Sequence, residues 1–115
     1  MVTDWKPVPG RDGYEVNIDG TIRSIERWVR GRDGSQRRIA GKTLSPRIRA
    51  DGTYAVNLWS QNTYKQIPVK VLVLEAFDRP CPAGFEAVNA NGDLSDNRLK
   101  NLRWQMSPGG RKRQI

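Results

Sequence analysis

Tyr14-Glu15-Val16-Asn17-Ile18-Asp19-Gly20-Thr21-Ile22-Arg23-Ser24 reads as two short strands joined by a tight turn. Glycine accepts the positive φ that such turns demand, and Asp-Gly is among the strongest short-range hairpin signals. Strand pleating then puts Ile22 on one face and Arg23 on the other. The same alternation recurs at Arg47-Ile48-Arg49, so these arginines are expected to share the solvent face of a sheet as a basic stripe.

Further turn signals stand at Pro9-Gly10, Asp12-Gly13, Asp33-Gly34 and Asp51-Gly52. Between them, residues 14–18, 21–29, 42–49, 54–59 and 64–69 alternate apolar with polar in part, or are rich in β-branched and aromatic side chains, and each predicts a strand. Together they read as one small antiparallel sheet. Pro46 has no amide to give to a ladder, which delays the usable strand of 42–49 to Arg47. Val69, Leu72, Val73, Ala76 and Phe77 fall at helical spacing and predict a helix over 69–77, ended by Pro80 and Pro82. Residues 85–89 then predict a short strand, Asn91-Gly92 a turn, and residues 95–102 a short polar-capped helix. Residues 107–115 combine breakers with Arg111, Lys112 and Arg113 and read as a flexible basic tail. Trp28 and Trp59 read as core residues, with stacking on nucleic-acid bases as the alternative.

The chain has 115 residues, one domain's worth, with 37% hydrophobic side chains and hence a modest core. Twenty Lys and Arg stand against twelve Asp and Glu, a net charge of +8, and fourteen of the twenty are arginine. Arginine offers a planar fork of donors that matches phosphate oxygens and guanine edges, so a polyanionic partner is favoured over a merely basic surface. Residues 22–49 hold nine basic side chains against Glu26 and Asp33, giving that stretch +7. Charge concentrated in one hairpin and its loop suits a surface that tracks a phosphate backbone, each contact releasing condensed counterions. The single Cys81 excludes an intramolecular disulfide, and the chain has no histidine, which removes the commonest general base and zinc ligand. With neither a membrane-length apolar run nor a signal-peptide pattern, a cytoplasmic protein without membrane contact is expected.

Two blocks carry a family resemblance. Trp5-Lys6-Pro7-Val8-Pro9-Gly10 with Tyr14-Glu15-Val16-Asn17 and Asp19-Gly20-Thr21-Ile22-Arg23-Ser24 looks like the nuclease-associated modular DNA-binding motif that opens many HNH homing endonucleases. Residues 68–77, Pro80-Cys81-Pro82 and Gly92-Asp93-Leu94-Ser95-Asp96-Asn97-Arg98-Leu99-Lys100-Asn101-Leu102-Arg103-Trp104 resemble the HNH portion of the same proteins. The resemblance covers nearly the whole chain. It implies an α+β fold, with a small N-terminal antiparallel sheet over residues 1–66, an HNH module of the ββα-metal type, degenerate here, over 67–106 and the tail over 107–115, either as separate modules or as one continuous domain. It also implies a phage origin and DNA as ligand.

The departures from that family bear on chemistry. Counting back from Gly92, the catalytic histidine corresponds to Asn89, whose neutral amide cannot take a proton from water near pH 7. The residue before it, a polar ligand in relatives, corresponds to Val88, and the helical metal ligand falls at Gly110 inside a Pro-Gly-Gly breaker. Asn101 is retained and is expected to brace the loop. Lys70 stands where many relatives carry histidine, and reads equally as a phosphate contact or a solvent-facing helix residue. The expectation is a DNA-binding protein that no longer cuts and needs no cofactor, with duplex DNA held by Arg23, Arg27, Arg30, Arg32, Arg37, Arg38, Lys42, Arg47, Arg49, Lys65, Lys70, Arg98, Arg103 and the tail residues Arg111, Lys112 and Arg113. Two alternatives use the same residues. One is a factor that binds a host protein; the other is weak nicking with Mg²⁺ held by Asp93, Asp96, Asn97 and Asn101. Oligomeric state is open.

Overall fold

The structure, a computed structural model, describes residues 4–60 and 63–107. Strands β1 (Trp5–Pro7), β2 (Tyr14–Asn17) and β3 (Ile22–Ser24) form an antiparallel sheet in chain order. The Asp19-Gly20 turn joins β2 to β3 with Gly20 at φ 97°, and Val16 faces Ile22 across the pair with both side chains buried. This is the alternation the hairpin sequence dictates.

On its other edge β3 meets the returning chain. Ser24 and Lys42 exchange backbone hydrogen bonds of 2.9 and 3.2 Å, and the Leu44 amide donates to the Ile22 carbonyl at 2.9 Å. The residues between Ser24 and Lys42 therefore leave and re-enter the sheet at one closed stem. They form a two-stranded ribbon of their own, β4 (Arg27–Arg30) paired with β5 (Gln36–Ile39). A third sheet follows, β6 (Arg47–Ile48), β7 (Tyr54–Ser60) and β8 (Thr63–Pro68), with β7 in the centre.

Helix α1 (Val69–Phe77) starts directly after Pro68, whose φ of −59° already suits a helix start. It ends where the Asp78 amide bonds the Leu74 carbonyl at 2.8 Å, one residue before Arg79-Pro80 forbids another turn. Its buried residues Val69, Leu72, Val73 and Leu74 make it the hub of the molecule. It packs against β2, β7 and β8, and also against β9 (Phe85–Asn89) and β10 (Leu102–Met106), which pair antiparallel. One apolar cluster runs through all of these, from Val8, Tyr14, Val16 and Ile22 through Val56 and Leu58 to Ala87 and Leu102. The N-terminal and HNH-like segments thus share a single core. Among the described residues no helix is long and apolar enough to cross a membrane.

The architecture is α+β, and several expected details change. The strands before α1 form three small sheets instead of one, because the ribbon closes on itself and the 42–44 segment returns to β3. The expected strand over 21–29 breaks at Ile25-Glu26, where the Ile25 amide turns to the Gly13 carbonyl at 2.9 Å. Within 42–49 only Arg47–Ile48 is a strand, with an isolated bridge at Thr43. The helix expected over 95–102 is absent: only Leu99–Asn101 make a 3-10 turn, and Leu102 already starts β10. Trp28 and Trp59 are not core residues, being 64% and 47% exposed. Trp28 lies on a ribbon without a second layer, and Trp59 sits on the outward face of β7.

Candidate functional site

The loop between β9 and β10 and the strand ends beside it carry the positions that the family resemblance singles out. Its backbone is organised by short side chains reaching two residues forward. Asn91 Oδ1 accepts from the Asp93 amide at 2.9 Å, and Asp93 Oδ1 accepts from the Ser95 amide at 3.0 Å and the Ser95 hydroxyl at 2.6 Å. Gly92, at φ 79°, closes the Asn91-Gly92 turn by bonding the Asn89 carbonyl at 2.9 Å. Such local bonds offer the backbone partners that a helix would otherwise supply, which is why 95–102 does not coil.

Beneath this loop lies a clasp of asparagines. Asn89, at the end of β9, is buried, and its Nδ2 donates to the Asp96 carbonyl at 2.9 Å and to Asn97 Oδ1 at 3.0 Å. Asn101 Nδ2 donates to the same Asp96 carbonyl at 2.9 Å and to Asn91 Oδ1 at 3.0 Å, while its Oδ1 accepts from the Asn91 amide at 3.1 Å. Asn97 Nδ2 reaches the Leu94 carbonyl at 3.3 Å. Asn89 Oδ1 is buried with no hydrogen-bond partner among the described residues. Asn89 thus holds the loop with its donors and presents no basic lone pair.

The donor set fits a divalent cation poorly. Asp96 is committed to Arg98, whose Nε and terminal nitrogen meet its two oxygens at 2.8 Å each. These hydrogen bonds hold the Asp96 carboxyl down to about 2. Asp93, lowered by its bonds from Ser95, is likewise turned onto the loop. Val88, half-buried opposite Arg103 in the β9–β10 pair, offers no oxygen or nitrogen from its side chain. Among the described residues no three His, Cys, Asp or Glu gather as metal ligands. Gly110 lies outside the described residues, as do Arg111, Lys112 and Arg113.

The basic residues are distributed unevenly. Arg23 serves the fold: it bonds Glu15 through two nitrogens at 2.9 and 2.7 Å and stacks its guanidinium 3.7 Å from the centre of the Trp5 ring. The expected stripe joining Arg23 to Arg47 and Arg49 does not form, since Arg23 belongs to the first sheet and Arg47 to the third. Arg98 is held by Asp96, and Arg103 reaches Gln105 at 3.3 Å. Lys65 is exposed on β8, and Lys70 is half-buried in the first turn of α1.

The ribbon gathers what remains. Arg30, Arg32, Arg37 and Arg38 are all exposed there, with Lys42 at its stem. The side chain of Arg27 lies outside what is described. Arg38 stands opposite Trp28 in register and also meets Glu26 at 3.3 Å, the one acidic group among the described contacts of the ribbon's arginines. Only the part of the +7 stretch between Ser24 and Lys42 stands apart as a ribbon, which no local pattern discloses, because the Ser24–Lys42 pairing that closes its stem joins residues far apart in the chain.

Three comparisons bear on identity. Residues 4–59 match the family model described as the NUMOD4 motif. The chain is 32% identical over 105 residues to an uncharacterized HNH endonuclease of Acanthamoeba polyphaga mimivirus, a match that covers 90% of this chain and 27% of that protein. Its fold superimposes on the HNH homing endonuclease I-HmuI, solved in a study of DNA binding and cleavage, with a TM-score of 0.71 and 26% identity over 96% of this chain and 56% of that one. The chain thus carries a NUMOD4 motif over residues 4–59 and, over nearly its whole length, resembles HNH endonucleases in sequence and in fold. It spans about a quarter of the viral relative and about half of the solved one.

Proposed function

We propose that this chain binds duplex DNA through the nuclease frame and acts by binding, without cutting. The observation that carries the loss of cutting is Asn89: it stands in the histidine's place, is buried, and spends both of its N–H groups on Asp96 and Asn97. A residue so placed neither deprotonates water nor turns outward to a substrate. The carboxylates around it are occupied by Arg98 and Ser95, which supports the same reading.

Binding is supported by the ribbon. Its two strands make an exposed, arginine-rich element of the width that B-DNA's major groove admits. Arg30, Arg32, Arg37 and Arg38 would contact phosphates or base edges from there, with Lys42, Arg47 and Arg49 beside the sheets. The NUMOD4 motif and the likeness to I-HmuI, which binds and cleaves DNA, support DNA as the polyanion.

A gel-shift series on duplex DNA at rising salt, run beside a plasmid-nicking assay in Mg²⁺ and Mn²⁺, tests both halves. Binding that weakens steeply with salt and no nicking are expected. Absence of a shift at low salt would overturn binding. Nicking that Asp93→Ala abolishes would overturn the loss of cutting.

A further inference from the structure

Trp59 and Tyr64 face each other across the β7–β8 pair, next to the hairpin tip, with ring centroids 3.9 Å apart and planes inclined by 37°. They are 47% and 58% exposed. Two large rings left in water are costly to keep, since each forgoes the burial that normally stabilises an aromatic. The Trp59 backbone amide donates to the Tyr14 hydroxyl at 3.1 Å, which ties this end of the strand to the core and fixes where the rings stand.

Pleating assigns the rest of that face. Residues opposite one another in an antiparallel pair share a side, as do residues two apart. Trp59 and Tyr64 therefore share theirs with the Asn57–Gln66 pair and with Arg47, which stands opposite Ala55. Asn57, Gln66 and Arg47 are exposed, and none of these residues is acidic. Asn and Gln amides match adenine edges, Arg matches phosphate and guanine, and aromatic rings stack on any base. Ala55 to Trp59 is four residues, about 13 Å at the rise of a strand, or about four nucleotides of a stacked strand.

We propose that this outward face is a second nucleic-acid contact, in which Trp59 and Tyr64 form a stacking platform for a base that has left its pair. That none of these described residues is acidic, and that the rings stand among polar neighbours, favour a nucleic-acid strand over a protein surface. The inference rests on the DNA-binding reading and adds a preference that the ribbon alone would not produce. The protein binds DNA with an unpaired base more tightly than the fully paired duplex.

The test uses the full chain and two fluorescein-labelled duplexes of one sequence, one fully paired and one with a 2-aminopurine opposite an abasic site, followed by anisotropy at low salt. About tenfold tighter binding to the second is expected, with a change in 2-aminopurine emission on binding. Tyr64→Ala and Trp59→Ala should remove the preference and the emission change while leaving affinity for the paired duplex within about twofold. Trp59→Phe with Tyr64→Phe, which keeps two rings, should retain both. Equal binding of the two duplexes by the wild type, or a preference that survives both alanine variants, overturns this inference alone. Failure to bind either duplex overturns the DNA reading and this inference with it.

Discussion

Gly20 and Asn97 lie in such close contact that a Cβ on Gly20 would stand 2.9 Å from the Asn97 carbonyl oxygen and 3.1 Å from its Cβ. The turn of the first hairpin therefore presses on the loop that carries the asparagine clasp, and the Leu99 amide completes the join by bonding the Ile18 carbonyl at 2.9 Å. Gly20→Ala meets two penalties, the positive φ and the clash with backbone. Gly10, at φ 74°, has nothing within 4 Å of a built Cβ and meets only the first. Thermal melts should show Gly20→Ala destabilised by about 2–3 kcal/mol and Gly10→Ala by about 1 kcal/mol. Equal losses would mean that the close approach costs nothing.

Removing the Asn89 amide leaves the Asp96 carbonyl and Asn97 Oδ1 without a donor that each now receives. Asn89→Ala should lower stability by about 2 kcal/mol, seen as a lower urea midpoint at unchanged slope. Asn101→Ala, which breaks the contacts to Asn91 and Asp96, should behave alike. The two changes should fall short of additivity because both amides meet on one carbonyl.

These residues show what a sequence discloses and what it withholds. Helix Val69–Phe77 was legible because its apolar spacing and its flanking prolines agree, and the Asp19-Gly20 hairpin because one turn type needs that pair. Phe85–Asn89 was legible as a strand for similar local reasons. The stretch 95–102 departs from the expected helix because Asp93 and Asp96 accept from the amides of Ser95 and Arg98, two residues on, in place of helical partners. Trp28 and Trp59 were misread because exposure depends on whether a second layer exists, which no local pattern contains. In the site, Asn89 can be singled out by counting back from Gly92. The hydrogen bonds that occupy Asn89 cannot be, since Asn97 stands eight residues further on.

Asp96 gives the acid response a predictable sign. Bonds from Arg98 hold its carboxyl at about 2, below the ordinary aspartate value near 3.9. A carboxyl lowered by folding stabilises the fold fully above the unfolded value, and that contribution fades as pH falls through the folded one. Stability should thus decline between about pH 4 and pH 2, with Asp93, also lowered, acting in the same direction. Asp96→Asn should flatten this part of a stability-against-pH curve measured by denaturant unfolding. An unchanged slope would show that the Arg98 pair does not matter to folding.

Salt dependence separates arginines that meet phosphate from those the fold retains. Arg30→Gln and Arg37→Gln on the ribbon should each lower the slope of log affinity against log salt by about 0.9 on duplex DNA. Arg23→Gln should leave the slope unchanged while lowering stability, because its charge is spent on Glu15 and Trp5. Slopes that fall equally for all three would remove the distinction.

The asparagine clasp also bears on what could happen to this chain next. Asn89→His would introduce a titratable ring, but into a buried slot that holds a small amide, and would give up the grip on Asp96 and Asn97. Asn89→His is therefore a step down in stability. The clasp thus ties position 89 to the stability of the loop: any side chain placed there must replace two hydrogen bonds to Asp96 and Asn97 before it can do anything else.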